Sequence, residues 1–484
     1  MRTAALNTAM SPLLPVPRRI QAVAKFLFAV WPFAGHVHPS IAVAHALRAR
    51  GHEIAFYTGA TVRSVVEGEG FHFFPFREVD EKRVSDLASS EFPYSPSLWH
   101  RLRSARLLQA KFREWLLDTI PRQVDDLDQV LSDWRPDVLI CDLAFWGPIL
   151  VIKEAWQIPV AVFSILAACI LPGPDVPFWG QGSPRPRNAI MRSRSQLQRT
   201  LLNWLSAGFR SNVNRMRRRY GLPSLRCSVT EFAGQMPLYL VPSTPEYDYR
   251  RRDLPPSVHY VGPCLWDKPS NVPPPEWIAQ LPRDRPLVYV TEATIGTAEP
   301  FLLKAAARAF KDLPLEVVMT TGKQRSPAGL DLGISAPNIR VEPYVPQSDL
   351  LPRTTVMVTL GGSGGVLAAL KAGVPLVVVP TEWDRPENAQ RVVEAGAGLR
   401  IAPKRCTPEL LRAAVDRVLN EPSFRNNARR LADAFAQYGG PARAAQLLEN
   451  LSFTSAKDSD MRKGVSLASG KSNSAADCCG SCPS

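Results

Sequence analysis

Short apolar runs and amphipathic stretches alternate along most of this chain. Phe26 to Phe33 is a continuous apolar run, short enough for a buried parallel strand. Gly35 punctuates it, Ile41, Val43, Ala44 and Leu47 recur at helical spacing, Gly51 closes that stripe, and "EIAFYT" opens a second apolar run. This is the pattern of a βαβ unit. The same order returns with a strand at Asp137–Cys141, a helix at Gly147–Trp156 and a strand at Val160–Phe163. From residue 246 to 285 the periodicity lapses into a proline-rich stretch, which reads as a linker. A second alternating series follows. It runs through "PLVYVTEAT", a helix at "EPFLLKAAARAFKDL", strands at "LEVVMTTG", "IRVEPYV" and "VMVTL", a glycine cluster, a helix and the strand "LVVVP". Helices at 408–420 and 422–437 close it, with a further helix through 441–450.

This pattern predicts an α/β chain of two Rossmann-like domains facing across a cleft. The expected division is an extension at 1–22, a first domain at 23–245, the linker at 246–285, a second domain at 286–450 and a tail at 451–484. The 484 residues suit two large domains. The longest apolar runs fall short of the roughly 18–20 residues that span a bilayer. "KFLFAVWPFAG" has the apolar character of a signal core, but it lies deep and a motif follows at once, so a buried strand is expected. A cytoplasmic location follows as an expectation.

Net charge is +14, and the excess is uneven: residues 181–220 hold ten arginines and no acid. That segment suits a solvated helix face with a loop. It equally suits a surface that meets anionic lipid headgroups at the membrane or an anionic substrate. No nucleic-acid-binding module surrounds the arginines, so no nucleic-acid partner is expected. Cys141, Cys169, Cys227, Cys264 and Cys406 are scattered, as free thiols in a reducing compartment are. Cys479 and Cys482 form a single CxxC pair in a Ser/Gly/Lys-rich tail, a weak metal signal; no metal is expected.

In open parallel sheets, ligands lie outside the carboxyl ends of strands, so the loops there carry the candidate chemistry. His36 follows the first strand, and an imidazole near neutral pKa suits proton abstraction; it also suits a helix cap. His38 lies two residues on. Asp142 follows a strand of the same half, where a carboxylate can orient an imidazole or simply cap a helix. Spacing alone does not pair it with His36. Gly361, Gly362, Ser363, Gly364 and Gly365 place backbone N–H groups at a helix start, which is an anion site by geometry and dipole. The cluster lacks the lysine of a P-loop, and glycines also serve tight strand–helix packing. Trp383, Asp384 and Arg385 follow the next strand, either facing the cleft or capping a helix.

Taken together, "GHVHP", "PLVYVTEAT", "NIRVEPYVPQSDLLP" and "GGSGGVLAALKAGVPLVVVPTEWDRPENAQRV" resemble, in that order, the inverting nucleotide-sugar-dependent glycosyltransferases of the GT-B fold. The similarity is to the bacterial macrolide and natural-product group, related to plant UDP-glycosyltransferases, and covers most of 25–440. It implies His36 as catalytic base and Asp142 as the acid that orients it. A lipophilic or polycyclic acceptor would bind in the first half and a UDP- or TDP-sugar in the second, as co-substrate, with no cofactor or metal. It implies Thr294, Tyr344, Val345 and Gln347 as donor-binding, the last three near the base. The glycine loop would take the diphosphate, and Asp384 and Arg385 would lie at the sugar, beside Trp383.

The chain departs from the family's usual pattern. Leu360 stands for a histidine that donates to phosphate, Gly365 for threonine or serine, Ala368 for a ribose-binding glutamate and Arg385 for glutamine. A hydrogen bond to a charged group contributes about 1.5–3 kcal/mol, so one lost phosphate donor corresponds to roughly 10- to 100-fold in affinity. The missing contacts point to a competing reading, a weak or silent relative that binds a ligand or partner. A sugar-nucleotide epimerase is a third, against which the intact "GHVHP" and "VPQ" segments stand.

Overall fold

The computed structural model describes residues 23–454 except 90–106, 108, 168–169, 178, 181, 206, 267–273, 293–298, 323–325, 328–331 and 333–335. The expected extension, most of the tail with its three cysteines, Cys169 and the donor-site candidate Thr294 lie outside the described residues.

Seven strands form the first sheet: β1 (Lys25–Ala29), β2 (Glu53–Thr58), β3 (His72–Pro75), β4 (Val138–Asp142), β5 (Val160–Phe163), β6 (Leu238–Val241) and β7 (Val258–Tyr260). Their order is β3-β2-β1-β4-β5-β6-β7, and every pairing is parallel. The second sheet holds β8 (Leu287–Thr291), β9 (Glu316–Thr320), β10 (Ile339–Glu342), β11 (Val356–Thr359), β12 (Leu376–Val378) and β13 (Gly398–Arg400). It is also parallel, in the order β10-β9-β8-β11-β12-β13. Both are doubly wound, and this two-sheet architecture is the GT-B fold. Strands covered on both faces must be apolar throughout, which is why β1, β4 and β11 read as unbroken runs.

Helix α1 (Ala34–Arg48) buries Val37, Ile41, Val43, Ala44 and Leu47. Each such side chain contributes roughly 1.5–3 kcal/mol on full burial. The expected helix at Gly147–Trp156 is instead a π-helical turn (Pro148–Ile152) followed by the short helix Lys153–Ala155. Its wholly buried PILVI sequence follows the core rather than a one-sided stripe. The arginine-rich stretch forms helices α2 (Ala189–Leu205) and α3 (Ala207–Arg219). Not all of its charge is on the surface: Arg217 is buried and donates to Glu154 at 2.7 Å and to Leu150 O at 2.6 Å.

Two expected boundaries look different in three dimensions. The stretch 246–285 is more than a tether, because β7 lies within it and pairs with β6. The helix over 441–454, beyond the second sheet, packs back on the first half. Its Ala444, Ala445 and Leu448 join the core of β1 and α1, and Glu449 takes hydrogen bonds from Arg50 and His52.

Candidate active site

Both sheets change strand direction of winding at one point: between β1 and β4 in the first, and between β8 and β11 in the second. Crevices open at the carboxyl ends of strands at such switch points. His36 and Asp142 lie at the first and the glycine loop at the second, while Trp383–Arg385 follow the neighbouring strand β12 and Tyr344–Gln347 follow β10.

In the first half, His36 lies in the first turn of α1 rather than in the expected turn before it. Asp142 is the last residue of β4, the neighbour of β1. His36 Nδ1 meets Asp142 Oδ2 in a direct hydrogen bond. The other carboxylate oxygen accepts from Ala144 N at 2.6 Å, so the aspartate serves the histidine and its own turn and caps no helix. The Asp142 side chain is 2% exposed and that of His36 is 16% exposed. With the Nδ1–H donated to the carboxylate, Nε2 on the opposite edge of the ring is the basic nitrogen. His38, in the same helix turn, meets Trp266 in a tilted ring contact with centroids 4.9 Å apart.

In the second half, α4 (Ser363–Lys371) starts immediately after Gly362, with no side-chain cap and no acid in its first turn. The first N–H groups of a helix have no intrahelical partner, and here they belong to Ser363, Gly364 and Gly365. Gly361 has φ +92°, and a Cβ there would lie 2.7 Å from Val378 Cγ1, so only glycine lets the loop turn this tightly. Gly365 faces Gln347: a Cβ added to it would be 3.9 Å from Gln347 Nε2. Leu360 is fully buried among core residues of the second half.

Trp383, Asp384 and Arg385 precede and open helix α5 (Arg385–Glu394). Asp384 Oδ2 accepts hydrogen bonds from Ser363 Oγ and, at 2.9 Å, from Asn388 Nδ2. Asn388 Nδ2 also donates to Gly361 O at 2.9 Å. The aspartate therefore ties the glycine loop to α5. Arg385 is 8% exposed, and its Nη1 donates to Thr381 Oγ1. Burial pushes its guanidinium below the ordinary value, opposed by Asp384, Glu382 and Glu292.

Aromatic rings join the two groups. Phe33 lies 5.6 Å from the His36 ring and 6.0 Å from Trp115, and Trp115 lies 5.6 Å from Trp383, edge to face throughout. His36 of one half and the Trp383–Arg385 segment of the other are thus joined through one chain of aromatic contacts. One candidate falls elsewhere. Val345 is 1% exposed and sits in the core with Met357 and Val366, since it must cover the sheet; its side chain does not line the cleft. Tyr344 is 52% exposed between β10 and the short helix Gln347–Leu350.

Sequence reasoning missed Asn388, Trp115 and Glu292. Asn388 stood inside a quoted motif, but its three-way role needs the fold. Glu292 ends the β8 segment, and the register Thr291↔Thr359 sets it beside Leu360. It is 1% exposed, and its Oε1 accepts from Leu302 N at 2.9 Å, at the start of helix Phe301–Phe310. The sequence signal was a carboxylate directly after a buried strand.

Two facing doubly wound halves, an Asp-held histidine on one and an open glycine-rich helix start on the other, define a GT-B glycosyltransferase. Comparison with known proteins agrees. Residues 306–451 match the family described as erythromycin biosynthesis protein CIII-like, C-terminal domain. The 4'-demethylrebeccamycin synthase of Lentzea aerocolonigenes is 35% identical over 88% of this chain and 99% of its own. The demethyllactenocin mycarosyltransferase of Streptomyces fradiae is 28% identical over 89% of this chain and 87% of its own. Among solved structures, the glycosyltransferase of kitacinnamycin shares the fold with a TM-score of 0.68 at 22% identity, covering 89% of this chain and 99% of that one. The spinosyn rhamnosyltransferase SpnG, solved also with thymidine diphosphate, has a TM-score of 0.64 at 19% identity, over 88% of this chain and 100% of its own. The chain belongs to this natural-product glycosyltransferase family, hexosyltransferases that move a sugar to a small-molecule acceptor.

Proposed function

We propose that this enzyme transfers a hexosyl group from a UDP- or TDP-sugar to a hydroxyl of a lipophilic or polycyclic acceptor, with inversion and without a metal. The observation that carries this is the His36–Asp142 pair at the first switch point, linked by aromatic contacts to the Trp383–Arg385 segment. An alcohol is a poor nucleophile until its proton is taken. As the acceptor oxygen attacks the anomeric carbon, its O–H proton passes to His36 Nε2, and Asp142 stabilises the imidazolium. The bond from the anomeric carbon to the diphosphate oxygen breaks, and its electron pair leaves with the nucleoside diphosphate. The first-turn N–H groups of α4 receive that growing charge. Arg385, whose backbone lies against Gly361, is our candidate cation for a β-phosphate or an acidic sugar. Gln347, Tyr344 and Thr294 are the base- and donor-side candidates.

A second reading, a weak or silent relative, has one observation in its favour: the buried Glu292 carboxylate and apolar Leu360 stand together at the β8–β11 switch point. A thermal-shift screen with UDP-, TDP- and GDP-sugars, followed by product analysis, decides between them. Stabilisation by a UDP- or TDP-sugar and an inverted glycoside support the enzyme; a folded protein that responds to no donor supports the silent relative.

We place the enzyme in the cytoplasm with peripheral visits to anionic membrane. Arg194 is exposed on α2 between Ile190 and Leu197, which are 80% and 69% exposed. No helix among the described residues is long and apolar enough to cross a membrane. Co-sedimentation with vesicles that does not depend on anionic lipid would remove the membrane contact.

A further inference from the structure

Helix α5 carries Asp384 and Arg385 at its start, yet its Glu387, Arg391 and Glu394 side chains reach outside the second half. Glu387 Oε1 accepts from Gly180 N and Gly182 N, both at 2.8 Å. Glu394 Oε1 accepts from Arg185 N at 2.7 Å, and Arg400 Nη1, on β13, donates to Gly182 O at 2.7 Å. Gly180, Gly182 and Arg185 belong to the first half, between β5 and α2. Gly182 has φ +57°, and a Cβ there would stand 2.2 Å from Pro386 O. No other residue brings this backbone so close to the first turn of α5. Beneath, Arg391 Nε donates to Asp248 Oδ1 at 2.8 Å, both side chains fully buried, and Arg391 lies 3.6 Å from the Glu387 carboxylate. On its other side α5 holds the glycine loop through Asn388. One helix is therefore bonded to the acceptor half and to the diphosphate loop at once. A buried carboxylate that takes two backbone N–H bonds holds its partners more firmly than a neutral acceptor would.

We propose that Glu387 is a positioning residue that couples the two sites. By clasping Gly180 and Gly182, beside Arg185, it fixes these backbones on α5, so a nucleotide-sugar seated at Asp384 and Arg385 also orders this part of the acceptor half. The coupling rests on the donor-facing reading of those two residues. Linkage makes it reciprocal: an acceptor that orders Gly180, Gly182 and Arg185 steadies α5 for the donor.

Hydrogen exchange by mass spectrometry on the full chain tests this. Without ligand, the Gly180 and Gly182 amides exchange about 10- to 100-fold faster in Glu387→Ala than in the parent protein. Saturating UDP or TDP slows them further in the parent and leaves Glu387→Ala unchanged. In transfer assays Glu387→Ala raises the acceptor KM about tenfold with little change in kcat, a loss of binding rather than of chemistry. Glu387→Gln, which keeps an oxygen acceptor, recovers part of both. Gly182→Ala breaks the clasp from the other side, leaves the Glu387–Arg391 contact in place, and should behave like Glu387→Ala. Equal unliganded exchange in parent and Glu387→Ala overturns the clasp. A nucleotide that binds by calorimetry without slowing these amides overturns the coupling alone. Absence of UDP and TDP binding to the parent sinks the donor-site reading and the coupling with it, while the unliganded comparison still decides the clasp.

Discussion

His36 and Asp142 act as one unit at the residue scale. Their bond orients the ring, so either substitution should leave the fold intact and strike the chemistry. We expect His36→Ala to lower kcat by about 10²–10⁴-fold, the usual contribution of a positioned general base, with nucleotide affinity by calorimetry unchanged. Undiminished transfer by His36→Ala would exclude this base. Arg385 presents a different case, because it is buried among carboxylates and its charge is already partly compensated. If it faces the donor, Arg385→Gln should weaken UDP or TDP binding by about 10- to 100-fold, the worth of a charge-assisted hydrogen bond. Equal dissociation constants for the two proteins would leave Arg385 a structural residue.

At the scale of elements, the glycine loop and the starts of α4 and α5 form one bonded piece. Gly361 allows it, since its backbone is left-handed and a Cβ there would run into Val378 and Arg385. Gly361→Ala should cost about 1–3 kcal/mol in urea denaturation, through backbone strain added to steric displacement, and should weaken nucleotide binding at the same time. Retained affinity in a destabilised variant would show that the loop's shape is not what binds the donor.

At the scale of the whole molecule, the halves meet through a buried ion pair, Asp248 with Arg391, roofed by Tyr249, whose ring lies 4.8 Å from the Arg391 guanidinium. Arg391→Met leaves Asp248 as an uncompensated buried charge and should cost about 3–5 kcal/mol. Arg391→Met combined with Asp248→Leu should recover part of that, because the buried Asp248 charge is removed while Glu387 and Tyr260 still lose a partner. Denaturant midpoints of the single and double variants measure it; an additive loss would contradict this account. The terminal helix belongs to the same scale. It returns from the second half to seat Leu448 in the first core and Glu449 on Arg50 and His52. Truncation after Tyr438 should lower the melting temperature and break the cooperativity of unfolding.

Much of this was legible from local pattern. Apolar runs between amphipathic ones announced two doubly wound halves, because a strand buried on both faces cannot carry polar residues, whatever its neighbours. The glycine cluster announced a helix start with open N–H groups, because that conformation depends on the residues that adopt it. His36 and Asp142 were visible singly, as polar residues at strand ends. Their pairing was not, since 106 positions separate them and only the adjacency of β1 and β4 closes that gap. The same holds for Glu292 beside Leu360, for Val345 in the core and for the terminal helix on the first half. The local pattern alone marked the central strands of both halves, α1 and the loops that are chemically equipped, though not β7 or the turn at Pro148–Ile152. Tertiary structure alone decided which loops meet, because strand order and the docking of α5 on both halves are set by contacts between residues far apart in the chain.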